Sequence, residues 1–302
     1  MAARDNYRAQ VELLIRCLPA VASEPDFALK GGTAINLFLR DMPRLSVDID
    51  LTYLPVSERD AALADIRARL ATIAEAIQRS VPGAKVRLVE GDAPKLLVDK
   101  SSARIKVEPS VVIRGSLVPL ISSELCLAAQ EAYELFVEIQ RLDLPDLYAG
   151  KLCAALDRQH PRDLFDVMQL QAAGPIPDSI RQAFVAYLAG HRRPIAELLQ
   201  PNRKPIEDLF ANHFAGMTKE PIELADLEAA RTQLFEWAAS ALTDNERLFL
   251  LSIKQGEPDW SLLPFENLDQ WPAIQWKLHN IRLMSDRRHK AAIRRLREVL
   301  DL

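Results

Sequence analysis

Six residues constrain this chain more than any others. Ser46-Val47-Asp48-Ile49-Asp50-Leu51 alternates apolar and polar side chains with a period of two, and an extended strand is the conformation that places residues i and i+2 on one face. In such a strand Val47, Ile49 and Leu51 enter a core while Asp48 and Asp50 project together, roughly 6–7 Å apart. Two carboxylates so placed repel each other strongly unless a cation lies between them. A hard, oxygen-ligand site of this kind suits Mg²⁺ carried in with a nucleoside triphosphate (NTP). For the hexapeptide taken alone, an ordinary exposed face of an amphipathic strand is the default account.

The segment just upstream makes the pair more specific. Phe27-Ala28-Leu29 is a short apolar run halted by Lys30-Gly31-Gly32, and Thr33 to Arg40 has helical character through Ile35, Leu37, Phe38 and Leu39. This predicts a strand, a glycine turn and a helix. Glycines there let the backbone approach a ligand closely, and a helix N-terminus offers N–H groups to phosphate oxygens. Thr33 is placed to cap the helix, to contact phosphate, or to do both. The turn is neither a Walker motif nor a dinucleotide fingerprint, since Gly-Lys-Ser/Thr and GxGxxG are both missing.

The rest of the chain divides by pattern. Residues 7–22 carry Val11, Leu14, Ile15 and Leu18 at helical spacing, and 57–79 predicts a helix stopped by Pro82-Gly83. Three strand-like runs follow at 85–90, 95–99 and 103–108, the first two joined by a hairpin over 91–94, with a further strand expected over 134–141. From Leu144 the pattern is helical and punctuated by prolines. A mixed α/β first half and a helical second half predict two domains, 1–142 and 143–302.

Composition is that of an ordinary soluble globular protein, with 49% hydrophobic and 26% charged residues among 302. A net charge of −4 excludes a uniformly basic nucleic-acid-coating protein, although not a local basic patch. Residues 281–302 form one such patch, which reads either as a track for an RNA backbone or as a solvated helix face. Cys17, Cys126 and Cys153 make no disulfide framework, and neither they nor the histidines show zinc-ligand spacing. The opening MAARDNYRAQ lacks the apolar core of a signal peptide, and no apolar run reaches a membrane span. The expectation is a soluble, cytoplasmic protein with no membrane partner. Trp237, Trp260, Trp271 and Trp276 are expected in helical cores.

LKGGTAINLF followed by RLSVDIDL resembles the AbiEii/AbiGii-type toxins, members of the DNA-polymerase-β-like nucleotidyltransferase superfamily. The resemblance implies an α/β (α+β) fold: a polymerase-β-like core with a mixed sheet, then a mainly helical domain. It implies Asp48 and Asp50 as Mg²⁺ ligands and a third acid on a neighbouring strand. Glu108, in Ile105-Lys106-Val107-Glu108, is the candidate, with an edge-strand salt-bridge residue as the alternative and Pro109 expected to shorten the strand. Lys30, Gly31, Gly32, Thr33 and Ser46 would hold the nucleotide, Ser46 matching a hydroxyl at the strand head.

A second block, Asp146 to Arg158 followed by Pro161-Arg162-Asp163-Leu164-Phe165-Asp166, resembles the family's Lys-containing helix and its RDxxD segment. Lys151 and Arg158 are two helical turns apart on one face and would offset triphosphate charge. Asp166 would orient Lys151 or the acceptor, with Lys151 and Asp166 contributed to the cleft by the helical domain. Pro161 at the first helical position puts Asp163 where capping explains it as well as catalysis does. The resemblance also implies transfer of a nucleoside monophosphate from an NTP, with release of pyrophosphate, onto the 3′ end of tRNA, and a cognate antitoxin protein as partner. Modification of a protein or a small molecule such as an antibiotic, or a non-catalytic nucleotide-binding module, are the competing readings.

Overall fold

The structure, a computed structural model, describes residues 2–302. The chain forms two compact units, Met1–Asp143 with Phe214–Pro221, and Leu144–His213 with Ile222–Leu302.

The first unit is built on a sheet. Helix α1 (Ala2–Ala22) buries Val11, Leu14, Ile15 and Leu18 completely, as their spacing predicts. Strand β1 (Phe27–Lys30) leads into the glycine corner and a one-turn α2 (Gly31–Ala34), which widens into a π-type turn over Ile35–Leu39. Then come β2 (Asp48–Tyr53), α3 (Arg59–Ser80), β3 (Lys85–Val89), β4 (Lys95–Lys100) and β5 (Ala103–Ser110). β6 (Ile121–Glu124), α4 (Leu127–Tyr133) and β7 (Glu138–Arg141) complete the unit. Among the described residues the strands form one mixed sheet in the order β3-β4-β5-β2-β1-β7-β6. β2 runs parallel to β5 and β1 parallel to β7, and the other neighbours are antiparallel. Ile49 and Leu51 of β2 and Ile105 and Val107 of β5 lose essentially all exposure, so one sheet face is core, against which α1 and α3 pack.

Two expectations need correction. β5 does not stop before Pro109: it continues to Ser110 and pairs Pro109 with Leu51. Pairing with β4 ends at Val107, so on that side the missing proline N–H deprives the sheet of nothing. The strand expected over 134–141 begins only at Glu138, because Glu134 adopts a left-handed conformation (φ 52°) that ends α4. The segment Phe214–Pro221 is fastened to the stretch leading into β2: Leu45 N donates to Met217 O at 2.8 Å and Lys219 N to Pro43 O at 2.9 Å.

The second unit is helical: α5 (Leu144–Arg158), α6 (Pro161–Ala172), α7 (Asp178–Gly190), α8 (Ile195–Leu199), α9 (Glu207–His213), α10 (Leu224–Ser240), α11 (Asp244–Gln255), α12 (Pro272–Arg282) and α13 (Asp286–Leu300). The prolines punctuate as predicted. Pro161 and Pro272 stand in the first turns of α6 and α12, and Pro177 and Pro194 are the residues capping α7 and α8. Capping boxes start α10 (Glu223, Asp226) and α11 (Thr243, Glu246). α5 and α7 pack tightly through Gly150, where a Cβ would stand 3.3 Å from the Tyr187 ring. The Tyr187 hydroxyl donates to buried Asp146 at 2.9 Å, and burial together with that carboxylate raises its pKa well above the usual phenol value. Trp271 is buried as expected, whereas Trp276 is 48% exposed and stacks on His279 one turn later along α12, which corrects its assignment to a core. Among the described residues no helix is long and apolar enough to cross a membrane.

Candidate active site

Asp48 and Asp50 emerge from the same face of β2, half-buried, while Ile49 and Leu51 have no exposure. Lys30 is registered against Asp50 across the β1–β2 ladder, and Lys106 and Glu108 against Asp48 and Asp50 across β2–β5. Registered partners share a sheet face, so three basic or acidic neighbours flank the aspartate pair.

The glycine corner fits against this pair. Gly31 has φ +68°, which L-residues rarely adopt, and a Cβ there would overlap the Asp50 carboxylate and stand 2.9 Å from Asp50 Cβ and Cγ. The acid occupies the volume that any other residue at 31 would need. Gly32 is confined for a second reason, since a Cβ would meet Arg44 Nη2 at 2.6 Å and Ser46 Oγ at 3.1 Å. Gly31→Ala is therefore expected to destabilise the first unit by about 1–3 kcal/mol through strained backbone and displaced acid, and to lower activity by more than the stability loss explains. Thermal melting and transfer rate measured on one preparation check this; wild-type values for both would dissociate Gly31 from Asp50.

Thr33 does not cap a helix. It is buried, its Oγ1 donates to the Asp48 carbonyl oxygen at 2.6 Å, and it lies 3.0 Å from Ser46 Oγ. These two hydroxyls lock the glycine corner to the start of β2, an engagement in place of the expected helix cap. The position before the helix is held by Lys30 in extended conformation, without a side-chain cap. Asn36 Nδ2 donates back to Gly32 O at 2.9 Å.

Sequence reasoning missed Arg44. Its guanidinium is buried against Gly32, with Nη1 donating to Leu45 O at 3.0 Å. It lies between a proline and the strand, where no periodicity marks it. Lys95 was missed as well. Its ammonium lies 2.9 Å from Glu108 Oε1, an ion pair between neighbouring strands β4 and β5. Among the described residues no three His, Cys, Asp or Glu side chains converge as a metal site. The residues present fit a hard divalent ion through two carboxylates, with phosphate oxygens and water completing its shell, which is how Mg²⁺ is usually bound.

In the helical unit the second block forms a buried ion cluster. Lys151 Nζ lies 3.0 Å from Asp163 Oδ1 and 2.9 Å from Asp166 Oδ2, with side-chain exposures of 6%, 2% and 0%. Arg158, largely exposed, closes on Asp163 at 2.6 Å and 3.1 Å. Burial pushes the Asp163 carboxyl up, but the charges and hydrogen bonds of Lys151 and Arg158 outweigh it and hold the group well below the usual carboxylate range. Asp163 is thus not the cap of α6. That position belongs to His160, whose Nδ1 accepts from Arg162 N at 3.1 Å. Burial and then Arg162 push His160 down to about 4, which keeps the ring neutral and able to accept.

The sequence profile of the family described as "Nucleotidyl transferase AbiEii toxin, Type IV TA system" matches residues 12–280. The chain belongs to this AbiEii family. It is thereby a nucleotidyltransferase toxin of a type IV toxin–antitoxin system. The AbiEii chain is similar in fold to MenT4, the nucleotidyltransferase toxin Rv2826c from Mycobacterium tuberculosis H37Rv, with a TM-score of 0.64, 17% identity, and coverage of 93% of this chain and 95% of that one. No curated protein matches it in sequence.

Proposed function

We propose that this AbiEii chain transfers a nucleoside monophosphate from an NTP to the 3′ end of tRNA, with Asp48 and Asp50 holding Mg²⁺. The observation that carries the reading is the aspartate pair on one strand face, with Asp50 seated against a glycine that no other residue can replace without displacing it. When bound, the ion would polarise the α-phosphoryl oxygen and offset the charge that develops on it. The chain's own residues do the positioning. Gly31 and Gly32 keep the backbone low beside the acids, Thr33 and Ser46 fix the strand head, and Lys30 and Arg44 supply positive charge in the same unit.

The acceptor hydroxyl oxygen forms a bond to the α-phosphorus, the bond from that phosphorus to the bridging oxygen breaks, pyrophosphate leaves, and the hydroxyl proton passes to solvent. Glu108, in register with Asp50 and ion-paired with Lys95, is the third carboxylate of the proposal, the one that would activate the acceptor hydroxyl before its proton reaches solvent. Lys151, Arg158 and Asp166 belong to the proposal as the cationic element of the helical unit and the acid that orients it. An antitoxin protein is the implied partner.

Incubation with each labelled NTP, Mg²⁺ and total cellular RNA or protein tests the reading. Label is expected on RNA of tRNA size, removable by a 3′ exonuclease. Label on protein or on small molecules alone overturns the acceptor assignment, and no label on any acceptor overturns the transferase reading.

A further inference from the structure

The helical unit carries a pocket of about 320 Å³, walled by α8, α11, α12 and α13 and lined among others by Ile195, Glu197, Gln200, Lys254, Lys277 and Arg295. Its charge is lopsided. Glu197 is already engaged by Arg193 at 3.1 Å, while neither Lys254 nor Lys277 makes an ion pair among the described residues. Lys277 Nζ donates to the carbonyls of His191 and Arg193, both at 2.7 Å, and so fastens α12 to the end of α7 with one N–H to spare. Among the described residues Lys254 Nζ donates to the Met284 sulfur at 3.6 Å, and Arg295, exposed on α13, donates to Gln200 at 2.9 Å and pairs with Glu298 at 3.5 Å. Burial, then the charge of Lys254, pushes Lys277 down to about 8, and the Glu197 carboxylate, itself engaged by Arg193, offsets only part of this. An anion between them removes that penalty, just as a cation would between Asp48 and Asp50.

We propose that this pocket seats a phosphate group, with Lys254, Lys277 and Arg295 as donors. The phosphate is supplied by the backbone of an RNA acceptor or by a free nucleotide; the RNA source rests on the function proposed above. The surroundings favour the backbone. Arg295 lies on α13, whose Arg287, Arg288, Lys290, Arg294 and Arg297 are all exposed, and such a run continues the positive field beyond the pocket for a polyanion to follow. At about 320 Å³ the space is at the small end for a whole small-molecule ligand, and ample for one phosphodiester.

The test uses the full chain and a Lys254→Ala/Arg295→Ala variant, leaving Lys277 in place because it fastens two helices; Arg295→Glu, at an exposed position, is the second variant. Binding of fluorescently labelled tRNA is measured against salt, and thermal stabilisation by inorganic phosphate and by AMP is measured alongside. With an RNA phosphate in the seat, affinity for tRNA falls about tenfold in the double variant and the log–log salt slope flattens by roughly 0.7, the value for one phosphate no longer neutralised. Stabilisation by phosphate or AMP that the variants abolish, with tRNA affinity unchanged, assigns the seat to a free nucleotide. Variants that match wild type in both measurements overturn the seat, and labelled transfer to RNA by the wild type then shows that the acceptor reading survives without it. Loss of phosphate binding in the variants of a protein that transfers nothing to RNA upholds the seat and overturns that reading.

Discussion

Asp50→Asn is expected to cut nucleotidyl transfer by roughly three orders of magnitude or more, the several kcal/mol of charge stabilisation that a ligated divalent ion supplies. The amide keeps the shape of the acid, so the packing against Gly31 survives and the loss reports charge and ligation rather than a cavity. The fold should be nearly unaffected. Asp50 lies beside two like charges, Asp48 two residues along the strand and Glu108 in register on β5 (itself paired with Lys95), and opposite one unlike charge, Lys30, in register across β1–β2. Removing it relieves a repulsion and loses an attraction of similar range, so the melting temperature should move by no more than about 2–4 °C, the equivalent of 1 kcal/mol. Asp48→Asn should behave alike in activity. Mg²⁺ dependence is the discriminating measurement: both variants should need far more Mg²⁺ than the wild type for whatever rate remains. An Asp50→Asn enzyme with near-wild-type rate at ordinary Mg²⁺ would end the assignment of the metal pair.

The aspartate pair was legible because a strand with one buried face leaves its period of two in the sequence, and Val47-Asp48-Ile49-Asp50-Leu51 shows it, although Val47 precedes β2 and is only half-buried where a core position was expected. Gly31 was legible as a glycine, yet the reason for it was not. The left-handed φ and the carboxylate occupying its Cβ position depend on β1 and β2 being neighbours in register, which is tertiary information. Glu108 illustrates the same limit. Its place in a strand could be reached from local alternation, whereas its register beside Asp50 and its ion pair with Lys95, thirteen residues earlier on β4, could not. Arg44 had no local signal, being set in an irregular stretch fastened by the distant Phe214–Pro221 segment. Strand β6 went unread because its four residues are mostly exposed and carry no apolar alternation. Trp276 went the other way: a large apolar side chain is usually core, and here it lies on the outer face of α12.

Lys151→Met should be among the most destabilising single changes in the helical unit, by about 3–5 kcal/mol, because it takes the shared ammonium from two carboxylates at 2% and 0% exposure. The pH dependence distinguishes this cause from lost packing. In the wild type the folded-state pKa of Asp163 is depressed, so its contribution to stability is full above the unfolded value near 4 and is lost as pH falls below that toward the folded value. In the variant the sign reverses: a buried carboxylate without its ammonium has a raised folded pKa, its penalty is largest at high pH, and protonation relieves it. The melting difference between wild type and Lys151→Met should therefore narrow as pH is lowered from about 8 to about 5, whereas a packing defect would give a constant difference. Pairing the change with Asp166→Asn separates structure from chemistry. Removing both charges of that ion pair should restore much of the stability, since replacing a buried pair outright costs far less than breaking it. If transfer returns together with stability, Lys151 acts only by holding α5 to α6. If the stable double variant remains inactive, the ammonium or its carboxylate takes part in the reaction itself, as the proposed function requires.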